Sequence, residues 1–247
     1  MNRIENYDRL AFDIDRWLKD YYYMHSIKAF VVGVSGGIDS AVVSTLCAKT
    51  ELPTYVLTMP LHSKKENTKL SDAHAKALMK KYSNVRVVDV DLSNTYESLL
   101  FDIDQDFVTN KLANANTKSR LRMVTLYQIA GSVGGIVVGT GNKVEDYGIG
   151  FYTKYGDGGV DIAPIADLYK TEVRELGGYM GVSQEIIDAT PTDGLWDDKR
   201  TDEDQLGVSY ALLEEAMESG TGPGVDTLYR FNKANQHKMQ PIPTFKL

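Results

Sequence analysis

The feature that most limits the fold is an apolar strand pattern that runs into a glycine turn. Residues 29–34 form an apolar, β-branched run, which is typical of a strand buried on both faces. Ser-Gly-Gly follows, and a helical pattern begins at Ile38. Such a turn binds anions, because its free backbone N–H groups and the helix dipole favour negative charge. The stretch therefore predicts a phosphate-binding loop.

The side chains of this turn suit a phosphate that is bound together with a divalent cation. Gly36 and Gly37 can adopt positive φ and let a ligand approach the backbone, while Ser35 and Ser40 add hydroxyl donors. The carboxylate of Asp39 would repel a phosphate unless a cation bridges the two. The alternative is an ordinary tight turn in which Asp39 is a solvated acid. The complete stretch after a buried strand favours the phosphate-binding interpretation.

Strand and helix patterns alternate along the rest of the chain. This alternation predicts an α/β protein with right-handed crossovers, a Rossmann-like three-layer α/β/α fold with a mostly parallel sheet. No linker or internal repeat interrupts it, so we predict a single domain over residues 1–247. Further strands are predicted at 53–59, 85–90 and 135–139, with a short edge strand at 160–165, and helices at 1–24, 67–82, 110–129, 168–180, 185–189 and 203–217.

Composition and charge exclude several classes of protein. The net charge is −7 and the pI is about 5.2, which argues against nucleic-acid binding because such proteins usually have a basic face. Cys47 is the only cysteine, so neither an internal disulfide nor a cysteine zinc site is expected, and we predict a buried core residue. No apolar run is long enough to cross a bilayer. We expect a cytoplasmic protein without a membrane partner.

The motifs of the chain together resemble one enzyme family. The Ser-Gly-Gly-x-Asp-Ser turn is similar to the pyrophosphate loop of the ATP pyrophosphatases, whose fold is called adenine nucleotide alpha-hydrolase-like. Residues 139–146, 150–161 and 164–173 resemble the NH3-dependent NAD(+) synthetases. Shorter matches to that family occur at Met59-Pro60, 120–122, Pro191-Thr192, 194–196, 202–203 and 237–238. The resemblance covers nearly the whole chain.

The resemblance implies a two-step amidation. In the family, the nicotinate carboxylate of deamido-NAD attacks the α-phosphorus of ATP, which yields an acyl-adenylate and pyrophosphate. Ammonia then attacks the activated carbonyl, and AMP leaves with formation of NAD. A carboxylate is a poor acceptor for ammonia, so it first needs a good leaving group. Preorganised N–H donors, Mg²⁺ and lysine lower the barrier of the first step, because negative charge develops between the phosphates.

The resemblance also implies roles for individual residues. Asp157 is assigned to accept a proton from ammonium, because only neutral ammonia is nucleophilic. Asp39 and Glu145 are assigned as Mg²⁺ ligands, which suits a cation that prefers oxygen. The implied ATP contacts are Gly33, Ser35, Gly36, Gly37, Asp39, Ser40, Thr140, Lys170 and Thr192, and the implied deamido-NAD contacts are Arg120, Lys154, Asp161, His237 and Lys238.

Several of these roles have a purely structural alternative. Glu145 and Lys170 would otherwise be solvated charges on helices. Thr192 would be an ordinary turn or cap residue, and His237 would be an exposed side chain in a polar tail. Asp157 would otherwise be a turn residue of a glycine-rich loop. Two positions also depart from the family pattern, namely Asp193, where many relatives have a small residue, and Met239, where a basic residue is common. These departures concern nucleotide and subunit contacts rather than the reaction.

Length and cysteine content predict the nitrogen source. Glutamine-dependent members of the family carry an extra amidase domain with a nucleophilic cysteine, whereas here the loop begins at residue 35 and Cys47 lies in the next helix. We therefore expect the chain to use free ammonia or to receive ammonia from a separate protein. The resemblance implies a homodimer, with the first helix and the helix of Arg120 as interface elements. Two alternatives stay open, a different adenylating enzyme acting on tRNA or a guanine nucleotide and a non-enzymatic nucleotide sensor.

Overall fold

The computed structural model describes residues 3–62, 65–191 and 201–246 and contains a four-stranded parallel sheet. The strands are β1 (Phe30–Gly33), β2 (Thr54–Thr58), β3 (Val85–Asp89) and β4 (Ile136–Val137), in the order β3-β2-β1-β4. The helices are α1 (Tyr7–Met24), α2 (Ile38–Lys49), α3 (Lys65–Lys81), α4 (Ser93–Asp102), α5 (Lys111–Val133), α6 (Lys170–Met180), α7 (Gln184–Ile187), α8 (Asp202–Leu206), α9 (Tyr210–Ser219) and α10 (Val225–Met239).

Helices cover both faces of the sheet, and successive side chains of β1 point to opposite faces. In β1, Phe30 and Val32 pack with α1, α2, α3 and α6 on one face, while Val31 packs against α4 and α5 on the other. Strand β1 pairs in parallel with both β2 and β4, with Val31 opposite Tyr55 and Val137. The apolar run is therefore buried on both faces, as its composition predicts. The predicted α/β/α fold is confirmed.

The strand order fixes where a ligand can bind. From β1 the chain moves outward through β2 to β3 and then returns to the opposite side of β1 with β4. Connections leave the carboxyl ends of β1 and β4 in opposite directions and open a crevice, which is where open parallel sheets bind their ligands. The loop after β1 carries the glycine turn, and the loop after β4 carries residues 139–142. Two of the sequence motifs therefore meet at this crevice.

The second half of the chain departs from the sequence predictions in three places. The predicted strand at 160–165 is wrong, because only Ile162 makes a bridge, to Val138. The predicted helix at 203–217 is two helices, since Gly207 ends α8 with φ of +74°. The segment predicted as a polar tail around His237 is helix α10. Apolar residues with helical spacing, Leu228 and Phe231, pack α10 against residues 144–149 and α9, and their spacing could have revealed it.

The prediction that Cys47 is a buried core residue is confirmed. Cys47 is fully buried in α2, and burial raises the pKa of its thiol to about 12, so it is a core residue. None of the helices within 3–62, 65–191 and 201–246 combines the length and apolarity that a bilayer span requires. The side chains of α2 from Ser40 to Ala48 are buried on every side of the helix. This helix forms the centre of one α layer and fixes the turn that precedes it.

Stability is expected to fall in mild acid because of one buried histidine. The Nε2 of His74 lies 2.9 Å from the hydroxyl of Ser44, and burial lowers the pKa of His74 from 6.5 to about 4. Between these pH values only the unfolded chain takes up the proton, which favours unfolding. The contribution of neutral His74 to the free energy of unfolding is therefore complete above pH 6.5 and disappears as the pH falls towards 4. Full loss corresponds to about 3 kcal/mol. Urea unfolding of the wild type and of His74→Asn at several pH values measures it, and equal pH slopes for both would contradict it.

Candidate active site

The turn after β1 is closed by its own hydroxyl groups. The Ser35 N–H donates to Ser40 Oγ at 3.2 Å, the Gly37 N–H donates to Ser35 Oγ at 3.2 Å, and Ser40 Oγ donates to the Gly37 carbonyl at 3.0 Å. Only Gly36 has positive φ, at +93°, whereas Gly37 is extended and caps α2. The expectation of positive φ is therefore correct for one glycine of the two. The first-turn N–H groups of α2 lack intrahelical partners and face the crevice end of the helix.

Replacing Gly36 by alanine is expected to disturb this turn. A φ of +93° is strained for any residue with a Cβ, at a cost of about 1–3 kcal/mol. We expect Gly36→Ala to weaken ATP binding at least tenfold and to lower the melting temperature slightly, because the hydroxyl-closed turn must shift. Gly37→Ala is the matched control, since its Cβ would lie 3.4 Å from Ser35 Oγ, an ordinary contact. Equal ATP affinity in the two variants, measured by calorimetry, would contradict the prediction.

A lysine and two carboxylates from separate elements meet beside the turn. Lys170 Nζ donates to Asp39 Oδ2 at 2.5 Å and to Glu145 Oε1 at 3.0 Å. The lysine side chain is 4% exposed, and those of Asp39 and Glu145 are 15% and 17% exposed. Burial by itself would lower the pKa of Lys170, but the two carboxylates outweigh it and raise the pKa above its usual value. The lysine is therefore a buried cation and not a solvated helix charge.

Two further residues hold this cluster and were not assigned any role from the sequence. Asn142 is fully buried, donates through Nδ2 to Asp39 Oδ1 at 3.1 Å and accepts through Oδ1 from the Glu145 N–H at 3.2 Å. Tyr210 donates its hydroxyl to Glu145 Oε1 at 2.8 Å. Asn142 lies within a motif that the sequence does reveal. Nothing in the sequence pattern distinguishes Tyr210 from a core aromatic residue.

Glu145 lies in a π-helix, Val144–Ile149, that follows the loop after β4. π-helical turns are rare and are frequently found at functional sites. The next residue, Asp146, packs its carboxylate on Gly141, where an added Cβ would lie 2.2 Å from Asp146 Oδ2. Burial, followed by the charges of Glu145, Asp157 and Asp39, raises the pKa of Asp146 to about 7. A glycine at position 141 therefore gives this acidic segment the space that it occupies.

Asp157 lies in the glycine-rich segment and is held there by two donors. Its Oδ1 accepts from Ser119 Oγ at 2.6 Å and from the Thr153 N–H at 3.0 Å. These contacts close the turn of the glycine-rich segment, so the structural alternative for Asp157 is partly correct. The residue is nevertheless exposed, and its charge acts on the pKa of Asp146. The structure therefore leaves Asp157 as an exposed carboxylate whose charge reaches the residue that follows Glu145.

The residues assigned to deamido-NAD form separate groups. Arg120 Nε donates to the Lys154 carbonyl at 3.3 Å, so these two residues lie together. Asp161 instead accepts from the Tyr127 hydroxyl at 3.0 Å and from the Val137 N–H at 2.7 Å. Its side chain thus pairs with strand β4, which helps to explain why no regular strand forms at 160–165. Asp161 has a structural role in this arrangement.

His237 and Lys238 lie in the last turn of α10 and differ in their surroundings. His237 is exposed, as its structural alternative predicts, whereas Lys238 Nζ donates to the Tyr152 carbonyl at 2.6 Å. The Tyr152 hydroxyl donates in return to the Lys238 carbonyl at 2.9 Å. Burial lowers the pKa of Lys238, and the charge of Asp157 opposes this shift. Helix α10 is thereby attached to the segment that contains Asp157.

The remaining predicted residues complete the crevice. Gly33 ends β1, and an added Cβ there would lie 3.0 Å from Met59 Cε. Thr140 is half-buried in the loop after β4. Thr192, assigned as an ATP contact, lies outside the described residues. The structure therefore brings the turn, Asp39, Glu145 and Lys170 together at the carboxyl ends of β1 and β4.

The donor set at this position fits Mg²⁺. No group of three or more histidine, cysteine or acidic side chains with metal-binding geometry occurs in the part of the chain that the structure describes. Mg²⁺ is usually held by one or two carboxylates together with waters and substrate phosphates, and Asp39 and Glu145 supply two carboxylates. Both already contact Lys170 Nζ, so a bound cation would share them with that ammonium group.

The sequence of the chain matches a known enzyme family. The model of the NAD synthase family matches residues 10–243. The NH(3)-dependent NAD(+) synthetase of Finegoldia magna is 35% identical, with 98% of this chain and 97% of the relative covered. That of Carboxydothermus hydrogenoformans is 36% identical, with 94% and 95% covered. The resemblance inferred from the motifs is confirmed.

Solved structures give the same result. The NMN synthetase of Francisella tularensis superposes with a TM-score of 0.91 at 31% identity and covers 99% of this chain and 100% of that one. An NH3-dependent NAD synthetase from Campylobacter jejuni has a TM-score of 0.79 at 23% identity, with 98% and 100% covered, which supports the fold. The glycine turn, the buried lysine and the extent of these matches agree: the chain belongs to the NAD synthase family.

Proposed function

We propose that the protein is an ammonia-dependent NAD(+) synthetase that converts deamido-NAD to NAD with cleavage of ATP to AMP and pyrophosphate. The observation that carries the proposal is the cluster of Asp39, Glu145 and Lys170 beside the glycine turn, in a chain of this family. A phosphate-binding turn alone fits many nucleotide-binding proteins. A buried lysine between two carboxylates in addition supplies both positive charge for phosphates and oxygen ligands for a cation.

In the first step the nicotinate carboxylate attacks the α-phosphorus of ATP. The new P–O bond forms as the bond to the β-phosphate oxygen breaks, and pyrophosphate leaves with the electron pair. Ser35, Ser40 and the first-turn N–H groups of α2 hold the phosphates, and Lys170 balances the charge that develops between them. Mg²⁺, held by Asp39 and Glu145, would add Lewis-acid stabilisation of the leaving pyrophosphate. Gly33 and Thr140 border the nucleotide at the strand ends, and Thr192 remains a proposed ATP contact.

In the second step ammonia attacks the activated carbonyl, and the C–O bond to AMP breaks. Ammonium must first lose a proton, and we assign Asp157 as the group that binds it and accepts that proton. Oδ1 of Asp157 is held by Ser119 and Thr153. Arg120, Lys154, Asp161, His237 and Lys238 are proposed to contact deamido-NAD. Both carboxylate oxygens of Asp161 also accept hydrogen bonds within the protein, from Tyr127 and from the Val137 N–H.

Nicotinate mononucleotide is a second candidate for the substrate that is amidated. The Francisella tularensis structure, at TM-score 0.91, is that of an NMN synthetase, whereas the curated relatives at 35% and 36% identity are NAD(+) synthetases. The same chemistry on a nicotinate mononucleotide would yield NMN. Both acceptors share the carboxylate and the first ribose phosphate. They differ in the adenylate portion, which deamido-NAD alone carries.

One experiment distinguishes these functions. We would measure pyrophosphate release from ATP and Mg²⁺ with deamido-NAD or nicotinate mononucleotide, and with ammonium or glutamine. We expect kcat/KM to be higher for deamido-NAD than for nicotinate mononucleotide. We also expect the amide product to form when ammonium is the nitrogen source. A preference for the mononucleotide would replace the proposed acceptor and keep the reaction. Neither product from protein that binds ATP would refute the enzyme and favour a nucleotide sensor.

We further propose that residues 1–247 act as one catalytic domain in a cytoplasmic homodimer. Support for the dimer comes from large apolar side chains on α4, on α5 and on the short 3₁₀-helix Gln105–Phe107 between them. Phe101 is 83% exposed, Phe107 74% and Leu112 58%. Apolar patches of this kind mark interaction surfaces when they are contiguous. Light scattering of the wild type and of Phe101→Glu tests the dimer, and a monomeric wild type would refute it.

A further inference from the structure

Tyr210 stands directly behind the ion cluster. It is the first residue of α9 and is 2% exposed. Its hydroxyl donates to Glu145 Oε1, and its ring lies under Lys170, with Nζ 5.0 Å from the ring centroid. The one side chain therefore contacts the carboxylate by a hydrogen bond and the ammonium by its π face.

The two oxygens of Glu145 are used unequally. Oε1 accepts from both Lys170 Nζ and Tyr210 Oη, at 3.0 Å and 2.8 Å. No described residue donates a hydrogen bond to Oε2. Two donors on one oxygen fix the rotation of the carboxylate, and the second oxygen keeps its lone pairs for another ligand. A hydrogen-bond donor that does not itself contact the metal commonly fixes the orientation of a carboxylate that binds a metal ion.

The surroundings of Tyr210 hold its hydroxyl firmly in place. Its N–H donates to Glu203 Oε1 at 3.0 Å, and Asp202 Oδ2 lies 3.4 Å from its hydroxyl. The ring packs among Val144, Leu206 and Leu213. Helices α8 and α9 therefore hold the tyrosine from one side, while Glu145 lies on the less regular π-helix on the other.

We propose that Tyr210 is a positioning residue for adenylation, which holds Oε1 of Glu145 so that Oε2 is free to bind the divalent cation accompanying ATP. The inference deepens the proposed function and depends on ATP being a substrate. A purely structural tyrosine would contribute to folding but would leave cation affinity unchanged. The two roles therefore differ in what removal of the hydroxyl does to the metal.

The test compares Tyr210→Phe with Tyr22→Phe. Each change removes one hydroxyl, and Tyr22 lies on α1 and donates to the Lys28 carbonyl at 3.1 Å. Free Mn²⁺ is followed by electron paramagnetic resonance in the presence of a non-hydrolysable ATP analogue. We expect Tyr210→Phe to weaken Mn²⁺ binding by about 10–100-fold and to raise the half-saturating Mg²⁺ for pyrophosphate release similarly, with unchanged KM for ammonium. Tyr22→Phe should match the wild type.

A double-mutant cycle with Glu145→Gln provides an independent measurement. If Tyr210 acts through Glu145, Tyr210→Phe added to Glu145→Gln should change Mn²⁺ affinity by less than about twofold. Full additivity, or wild-type Mn²⁺ affinity with only a lower melting temperature, would overturn the inference. Mn²⁺ binding requires neither acceptor nor ammonia. A protein that makes no NAD yet shows the Tyr210 effect would therefore refute the proposed function alone.

Discussion

Lys170→Met is expected to slow adenylation strongly and to destabilise the fold. The ammonium group is the only described cation in contact with both Asp39 and Glu145, and its side chain is 4% exposed. Methionine has nearly the same length but no charge. Removing one partner of a buried ion pair costs about 3–5 kcal/mol, because the remaining charges stay buried without compensation. In the reaction, loss of a preorganised charge at developing phosphate oxygens slows the step by about 10²–10³-fold.

Lys143→Met is the matched control for that variant. Lys143 also pairs with one carboxylate, Asp167, at 2.7 Å, but the Asp167 side chain is 88% exposed. Exposed pairs contribute about 0–1 kcal/mol, so this variant should unfold at almost the wild-type urea concentration and retain pyrophosphate release. Urea unfolding and single-turnover pyrophosphate release measure both quantities. If the two methionine variants behaved alike, the Lys170 cluster would have no special role.

Asp157→Asn is expected to separate the two half-reactions. The asparagine oxygen can keep the hydrogen bonds from Ser119 Oγ and the Thr153 N–H, so the turn should persist. The variant loses the charge that would bind ammonium and accept its proton, which corresponds to about 10²–10⁴-fold in rate. We therefore expect a normal burst of pyrophosphate followed by very slow formation of the amide product.

Ser119→Ala controls for the position of the turn. It removes one hydrogen bond to Asp157 Oδ1 and leaves the carboxylate charged. In parallel rapid-quench measurements, we expect Ser119→Ala to form the amide product at least tenfold faster than Asp157→Asn. If Asp157→Asn lost the pyrophosphate burst and amide formation equally, the prediction would be contradicted. Asp157 would then only stabilise the turn of its loop, which is its structural alternative.

Local patterns in the sequence were sufficient for the elements around the turn. A β-branched run followed by glycines and a helical pattern predicts both ends of β1 and the first residue of α2 to within a residue, because burial on both faces demands an apolar strand. The same reasoning was poor where tertiary contacts decide. The strand expected at 160–165 is replaced by a single bridge, since Asp161 uses its carboxylate to accept from the Val137 N–H. Helix α10 was missed because its apolar face is narrow and its composition is polar.

The sequence by itself determined the parallel α/β fold, the glycine turn and the family, because these depend on periodicity and on residues that are adjacent in the chain. Only the tertiary structure decided which charges meet. Asp39 and Lys170 are 131 positions apart, and Glu145 and Tyr210 are 65 positions apart. No local pattern encodes such pairs; the reversal of strand order between β1 and β4 brings their loops to one crevice, where burial makes each charge depend on its partners.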